Sequence, residues 1–311
     1  MPLDAEAPVP AGAVWLDALN PDDAERRALE RIIGRPIPPR ERMTEIEPSS
    51  RLYRHDGVLF LTAPVVTGAE SEQPGVSAAT FIVGGGLLVT LRYAEPRPFL
   101  LFEERIAHDP SYLDGVAPCL LGLLDAVIDR VADILEMIDA EADGLSRRVF
   151  AAPPDRRRPA GTDYGDILRA IGLHNSRTSK VRESLVAMAR LLTFLNVQCA
   201  GEWTDDQQQK LRTLNRDVKS LTDHTGFLSN KLTFLLDATL GLINIEQNAV
   251  VKILSVVAVV FLPPTLIASI YGMNFEVMPE LSWPWGYPAA LLLMLVSAVV
   301  PFGLFKHRGW L

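Results

Sequence analysis

The sequence predicts an α+β membrane protein: an N-terminal α/β cytosolic domain, a long stalk helix and two C-terminal transmembrane helices. Three observations predict it. Short apolar runs punctuated by Pro, Gly and Asp fill the first third, as strands and turns do in a mixed domain. From about Pro118 the apolar residues fall at helical spacing over stretches far longer than an ordinary helix. Two uncharged runs, Ile253 to Tyr271 and Tyr287 to Phe305, stand near the end, each long enough to cross a hydrocarbon core.

Residues 1–117 form the mixed α/β domain. Asp22 to Ile33 has helical spacing after Asn20-Pro21, read as a cap and first turn. Val58 to Val66 and Phe81 to Leu91 read as strands, rich in Val, Leu, Phe and Thr. Gly84-Gly85-Gly86 lacks the following Lys-Ser/Thr and the Gly spacing of a phosphate loop, which leaves a hairpin turn or a bulge in a strand pair.

Residues 118–203 form antiparallel long helices. Leu120, Leu124, Val127, Val131, Leu135 and Ile138 mark one face of a helix running to about Phe150. Ala151 to Gly161, with Pro153-Pro154 and Arg156-Arg157-Arg158, reads as a polar loop, and a second helix spans Tyr164 to Gln198. Residues 204–252 are the stalk. Thr204-Asp205-Asp206-Gln207 fits a capping box, in which the Thr hydroxyl and Gln side chain satisfy free backbone N–H groups. No Pro follows until Pro263, so one helix runs from Thr204 into the first span, on the order of 100 Å. A helix that long needs partners along its length.

Composition narrows the function. The net charge of −8 argues against a nucleic-acid binder; it suits cationic partners or serves solubility alone. Cys119 and Cys199 make neither a disulfide framework nor a paired-cysteine zinc motif, and read as ordinary reduced thiols. Met1 to Asn20 carries Asp4, Glu6 and Asp17 and lacks a basic region before an apolar core, so no cleaved signal peptide and a cytosolic start are expected. The five His residues and scattered carboxylates form no recognisable metal or nucleophile motif, so no enzyme is expected.

The hairpin divides into a first span at 253–271, a loop at 272–286, a second span at 287–305 and a basic tail at 306–311. Lys252 precedes the first span and Lys306, His307 and Arg308 follow the second, whereas the loop holds Glu276 and Glu280 and no Lys or Arg. By the positive-inside rule both termini are cytoplasmic, and Trp283, Trp285 and Tyr287 sit at the outer interface. Pro263-Pro264 removes two backbone donors and is expected to kink the first span, which suits a helix lining something wet.

A polar stripe follows the same helix. Asn244, Val251, Ala258 and Thr265 recur every seven residues, flanked by Asn248, Ser255, Leu262 and Ser269, with Asp237 one heptad below Asn244. Small residues also pack helices tightly in membranes, but two amides and a carboxylate aligned with the span read as lumen lining. One hairpin cannot enclose water, so copies must assemble around an axis. The second span has no such stripe and faces lipid.

The loop opens Tyr271-Gly272-Met273-Asn274 and continues to Met278-Pro279-Glu280-Leu281 before Trp283 and Trp285. Here the sequence resembles the CorA family of magnesium channels, whose signature is YGMN after the first of two C-terminal spans, followed by MPEL. The likeness covers the whole architecture, down to the basic tail at Lys306 to Trp310. It implies a homopentamer in the cell (inner) membrane with a cytosolic funnel of α/β domains. It also implies a pore lined by the first span, with Gly272, Met273 and Asn274 as the selectivity filter at the outer mouth. Matched positions place Asp237, Asn248, Leu254, Leu262, Thr265 and Asn274 toward the pore, beside the stripe's Asn244, Val251 and Ala258. Leu254 and Leu262 would be apolar constrictions that gate by dewetting; the second is often Met in the family.

The implied function is Mg²⁺ influx, also of Co²⁺ with Ni²⁺ as a further candidate, with no organic cofactor. Mg²⁺ dehydrates reluctantly, so Asn274 amide oxygens and Gly272 carbonyls can hold its hydration shell from outside. The loop has no His or Cys, which favours Mg²⁺ over zinc. Glu276 and Glu280 either concentrate cations or are solvated charge. In the family, cytosolic Mg²⁺ between subunits closes the pore. Candidate ligands are Asp205, Asp206, Asp217 and Asp223 on the stalk and Asp125, Asp129 and Asp133 on the first long helix, all of which also read as solvated helix faces. The alternatives are a zinc transporter of the same superfamily and a membrane-anchored interaction protein.

Overall fold

The computed structural model describes residues 12–45, 47–150, 164–274 and 278–308. In chain order the elements are β1 (Trp15–Leu19), α1 (Asp23–Ile33), α2 (Arg40–Met43), α3 (Pro48–Arg51), β2 (Leu52–His55), β3 (Val58–Thr67), β4 (Gly75–Gly84) and β5 (Leu87–Arg92). Then come α4 (Arg97–His108), a 3₁₀ turn (Pro110–Leu113), α5 (Val116–Phe150), α6 (Tyr164–Gln198), α7 (Asp205–Tyr271), a second 3₁₀ turn (Pro279–Ser282) and α8 (Gly286–His307). The chain divides into two compact units, Met1–Leu236 and Asp237–Leu311, with the division inside α7. The polar loop expected at Ala151 to Gly161 lies outside the described residues, as do 1–11 and the end of the basic tail at 309–311.

In the first unit one five-stranded sheet runs in the order β1-β5-β4-β3-β2, with β1 parallel to β5 and the other pairs antiparallel. Alternate residues of β3 serve opposite faces. Leu59, Leu61, Ala63 and Val65 join the core built with α4, α5 and α6, while Val58 and Phe60 join Leu29, Ile37 and Met43 on the other side. A strand covered on both faces reads as a nearly continuous apolar run, which is how Val58 to Val66 reads. Polar groups are paired where β3 meets β4 and α6. The Thr62 and Thr80 hydroxyls lie 2.8 Å apart, and Ser184 Oγ donates to the Pro64 carbonyl at 2.7 Å, fastening α6 to β3.

Gly84-Gly85-Gly86 makes the hairpin turn expected of it: Phe81 to Leu91 is the end of β4 and the start of β5, separated by Gly85 and Gly86 at φ 61° and 78°, and consecutive left-handed residues turn the chain back tightly. One local expectation changes. The cap of α1 is Asp22 rather than the Asn20-Pro21 pair: its carboxylate accepts from Ala24 and Glu25 N–H at 2.8 Å, and Glu25 returns the bond to the Asp22 N–H. Asn20 instead takes a left-handed φ of 49°, and its N–H reaches the Arg92 carbonyl.

β1 is placed by a buried ion pair. Arg92 Nη2 lies 2.6 Å from Asp17 Oδ2, Nε bonds both carboxylate oxygens, Nη1 reaches the Ala94 carbonyl, and the guanidinium stacks 4.8 Å over Phe99. Thr90 Oγ1 donates to Asp17 and accepts from the Trp15 indole N–H. Each polar group brought out of water by the β1–β5 pairing thus has a partner.

The long helices pack as their periodicity requires. Leu120, Leu124, Val127, Val131, Leu135 and Ile138 of α5 are all buried, in one cluster with Val181, Leu185 and Leu192 of α6 and Leu211, Leu214, Val218 and Leu228 of α7. Cross-helix cations reinforce this: Lys210 meets Asp125 at 2.8 Å, and Lys231 sits between Asp139 and Asp143 at 2.6 and 2.7 Å. α7 opens with the expected capping box. Gln207 N–H donates to Thr204 Oγ1 at 3.3 Å, and Thr204 N–H donates to Gln207 Oε1 at 3.1 Å.

One buried histidine ties α6 to α5. His174 Nδ1 stands 3.3 Å from Glu141 Oε2 without hydrogen-bond alignment. Arg177 holds the same carboxylate at 3.0 Å and the Ser71 carbonyl of the β3–β4 loop at 3.3 Å. Burial pushes the His174 pKa down and Arg177 pushes it further, while Glu141 opposes both.

Two predictions follow from this packing. Arg92→Met leaves the Asp17 carboxylate in an apolar setting and should cost about 3 kcal/mol or more, read from the urea unfolding midpoint. For His174 the folded pKa is depressed, so its contribution is fully present above the ordinary value of about 6.5 and is lost as pH falls through the lower folded value. Thermal stability should therefore decline from about pH 7.5 to 5.5, and His174→Asn should flatten that decline.

Candidate ion pathway

The second unit contains the membrane-length part of α7 and all of α8, the two helices long and apolar enough to cross a bilayer. α7 remains one helix through Pro263-Pro264. The prolines deprive the Val259 and Val260 carbonyls of their usual donors. Thr265 Oγ1 adds a bond to the next carbonyl, Phe261 O, at 2.7 Å.

Shielding in this unit is one-sided. On α7, Val256 is buried and Val260, Pro263, Pro264, Ile267 and Tyr271 are partly covered. On α8, Ala290, Met294, Ser297, Ala298, Pro301 and Phe305 are partly covered. Both sets recur at intervals of three and four residues, the pattern of one helical face. At 3.6 residues per turn, Asp237, Asn244, Asn248, Val251, Leu254, Ala258, Leu262 and Thr265 fall within about 120° of α7, across the helix from Val256. All eight are exposed.

The chemistry of that face is mild and oxygen-rich. Ser255 Oγ donates to the Val251 carbonyl at 2.8 Å, as Thr265 does to Phe261. With its proton spent on the helix, each hydroxyl oxygen keeps lone pairs for a cation or its water. The Asn244 and Asn248 amides and the Asp237 carboxylate extend the same row.

α7 ends at Tyr271, where Gly272 N–H reaches the Ala268 carbonyl at 2.9 Å and Met273 N–H reaches Ile270 at 3.3 Å. Gly272, Met273 and Asn274 therefore sit at the negative end of the helix dipole, which favours cations. Met273 and Asn274 are exposed. Glu280 is exposed in the 3₁₀ turn, while Glu276 lies outside the described residues. Trp283, Trp285 and Tyr287 are all largely exposed at the start of α8. Sequence reasoning missed the shielded face around Val256 because valines surround the whole helix; only packing separates them.

The carboxylates proposed as regulatory ligands do not converge within one chain. Asp205 and Asp206 occupy the first turn of α7, where they complement the positive end of its dipole. Asp217 and Asp223 stand roughly 18 and 27 Å farther along the axis. On α5, Asp125 meets Lys210 and Arg105, Asp129 meets Arg105 at 2.8 Å, and Asp133 lies 3.8 Å from Arg130. Among the described residues no three His, Cys, Asp or Glu side chains gather as a metal site.

The chain matches the family model described as CorA-like Mg²⁺ transporter protein over residues 10–307. It is 37% identical to the magnesium transport protein CorA of Escherichia coli, covering 99% of this chain and 96% of that protein. The protein of the same name from Pectobacterium atrosepticum is 36% identical over 96% of this chain and 92% of its own length. The complete structure of the CorA magnesium transporter from Methanocaldococcus jannaschii superposes with a TM-score of 0.74 at 21% identity, covering 96% of this chain and 91% of that one.

The one-sided shielding predicts cysteine accessibility. Asn248→Cys and Thr265→Cys should react with a charged methanethiosulfonate reagent in the membrane-embedded protein, and Val256→Cys should not. Native Cys119 and Cys199 are buried, with thiols pushed up to about 12 and about 11, so they supply no background.

Proposed function

Because this chain belongs to the CorA family of Mg²⁺ transporters, we propose that it is a Mg²⁺ influx channel whose pore wall is the exposed polar face of α7. The observation that carries this reading is the opposition of two faces on one helix. The side bearing Val256 is shielded within the chain, while the side bearing Asn244, Asn248, Ala258 and Thr265 is left open. Within the span, Ser255 and Thr265 on this face would be polar groups without water if turned toward lipid; turned toward an axis shared with other copies they line water, and Asn244 and Asn248 continue the same row on the cytosolic side.

Five copies around that axis form the channel, with 1–117, 118–203 and 204–252 in the cytosol, 253–271 and 287–305 in the inner membrane, and both termini cytoplasmic. Rings of Leu254 and Leu262 close it by dewetting. At the outer mouth, Asn274 amide oxygens and Gly272 carbonyls, beside the negative ends of five helices, hold the water shell of an octahedral hard cation. Co²⁺, and Ni²⁺ as a further candidate, share that hydrated octahedral form. Cytosolic Mg²⁺ holds the pore shut from between subunits. Carboxylates of Asp205, Asp206, Asp217 and Asp223 that are too far apart in one chain require a second chain to make such a site.

The test is flux. Proteoliposomes holding a Mg²⁺-sensitive dye should load down the gradient, and Asn274→Ala should abolish loading. Unchanged flux in that variant would remove the filter role from the loop, and faster entry of Zn²⁺ than of Mg²⁺ would reassign the ion. An interaction protein with a mere anchor would show no flux and would tolerate Asn248→Leu.

A further inference from the structure

Gly286 opens α8, and its backbone conformation does not call for glycine, since its φ lies outside the left-handed region. Space calls for it. A Cβ at this position would collide with the carbonyl oxygen of Glu280 and stand 3.3 Å from the carbonyl carbon. The obstructing atoms are backbone, so no side-chain rotation relieves the clash. Elsewhere in the same unit, Gly241 and Gly303 have open space around them, and a Cβ at Gly272 would meet the Ala268 carbonyl at 3.1 Å.

The turn seated against Gly286 has little freedom to retreat. Trp283 N–H donates to the Glu280 carbonyl at 3.4 Å, Gly286 N–H donates to the Trp283 carbonyl at 2.9 Å, and Ser282 Oγ donates to the Pro279 carbonyl at 2.8 Å. Pro279, Pro284 and Pro288 fix φ before, within and after this stretch. The residue held in place carries a charge. Glu280 is exposed, and no Lys or Arg occurs between Lys252 and Lys306 to neutralise it. A carboxylate carried on a held backbone in an uncompensated acidic loop raises the local concentration of divalent cations.

We propose that Gly286 is a positioning residue for cation entry: its bare Cα lets the 3₁₀ turn seat on the first turn of α8 and so sets where the Glu280 carboxylate stands. This rests on the Mg²⁺-channel reading above. A methyl group at 286 displaces the Glu280 backbone, and the carboxylate moves with it.

The experiment measures initial Mg²⁺ entry into dye-loaded proteoliposomes against external Mg²⁺ for the full-length protein, Gly286→Ala, Glu280→Gln and the double variant. Gly286→Ala should raise the half-saturating Mg²⁺ concentration about threefold or more, by a larger factor than it lowers the maximal rate. Glu280→Gln should do the same, and the double variant should match Glu280→Gln alone, because both changes act through one carboxylate. An unshifted half-saturation in Gly286→Ala, with or without a lower maximal rate, overturns the proposal. So does a shift in Gly286→Ala with none in Glu280→Gln. If Gly286→Ala fails to assemble in detergent, Glu280→Gly combined with it should restore assembly by freeing the turn; no restoration places the clash elsewhere and overturns the proposal. Absence of Mg²⁺ entry in the unmodified protein would instead remove the channel reading itself.

Discussion

A chain segment in hydrocarbon has no water to satisfy its backbone, so it must remain helical even where its sequence resists. The membrane part of α7 meets this constraint across Pro263-Pro264, with the Thr265 hydroxyl returning a bond to the Phe261 carbonyl just beyond the missing donors. Because the helix does not break, its residues keep a single angular register from Asp237 to Tyr271. The face bearing Val256 is therefore shielded along the same line that leaves Asn244, Asn248, Ala258 and Thr265 open on the other side.

The first unit solves a different problem, in which water is present and burial is the driving force. Its sheet is covered on both faces, and the five residues of β1 complete it only because Asp17 finds Arg92, 75 positions away. The α5, α6 and α7 cluster needs no such device. Its apolar faces are long enough that Lys210 and Lys231, set among Asp125, Asp139 and Asp143, add register to contacts that apolar packing already makes. Surface and half-buried pairs of this kind are individually modest.

Features written in adjacent residues were legible. The Thr204 capping box, the stripe from Leu120 to Ile138, the bounds of α6 and the two spans are local patterns of period, cap and hydropathy, and each reappears in the structure. Features that depend on distant partners were not. β1 carries Asp17 at its centre and looks too polar for a strand until Arg92 is beside it. β2 includes Arg54 and His55 and is an edge strand. α4 opens with Pro98 in its first turn, where proline suits a helix, but nothing local says that its Phe99 and Phe102 are fully buried. Nothing in its neighbours marks Gly286, and only the position of the Glu280 carbonyl gives it a reason.

The sequence by itself determined the membrane hairpin, the seven-residue polar row and the Tyr271 to Asn274 turn that carries the family likeness, because hydropathy, helical period and a contiguous motif are all properties of neighbouring residues. Only the tertiary structure decided which of the many valines on α7 face inward and that Asp125, Asp129 and Asp133 are already opposed by cations. Those outcomes depend on which surfaces touch. Contact between residues far apart in the chain is set by the sum of packing energies over the whole unit, which no local window of sequence contains.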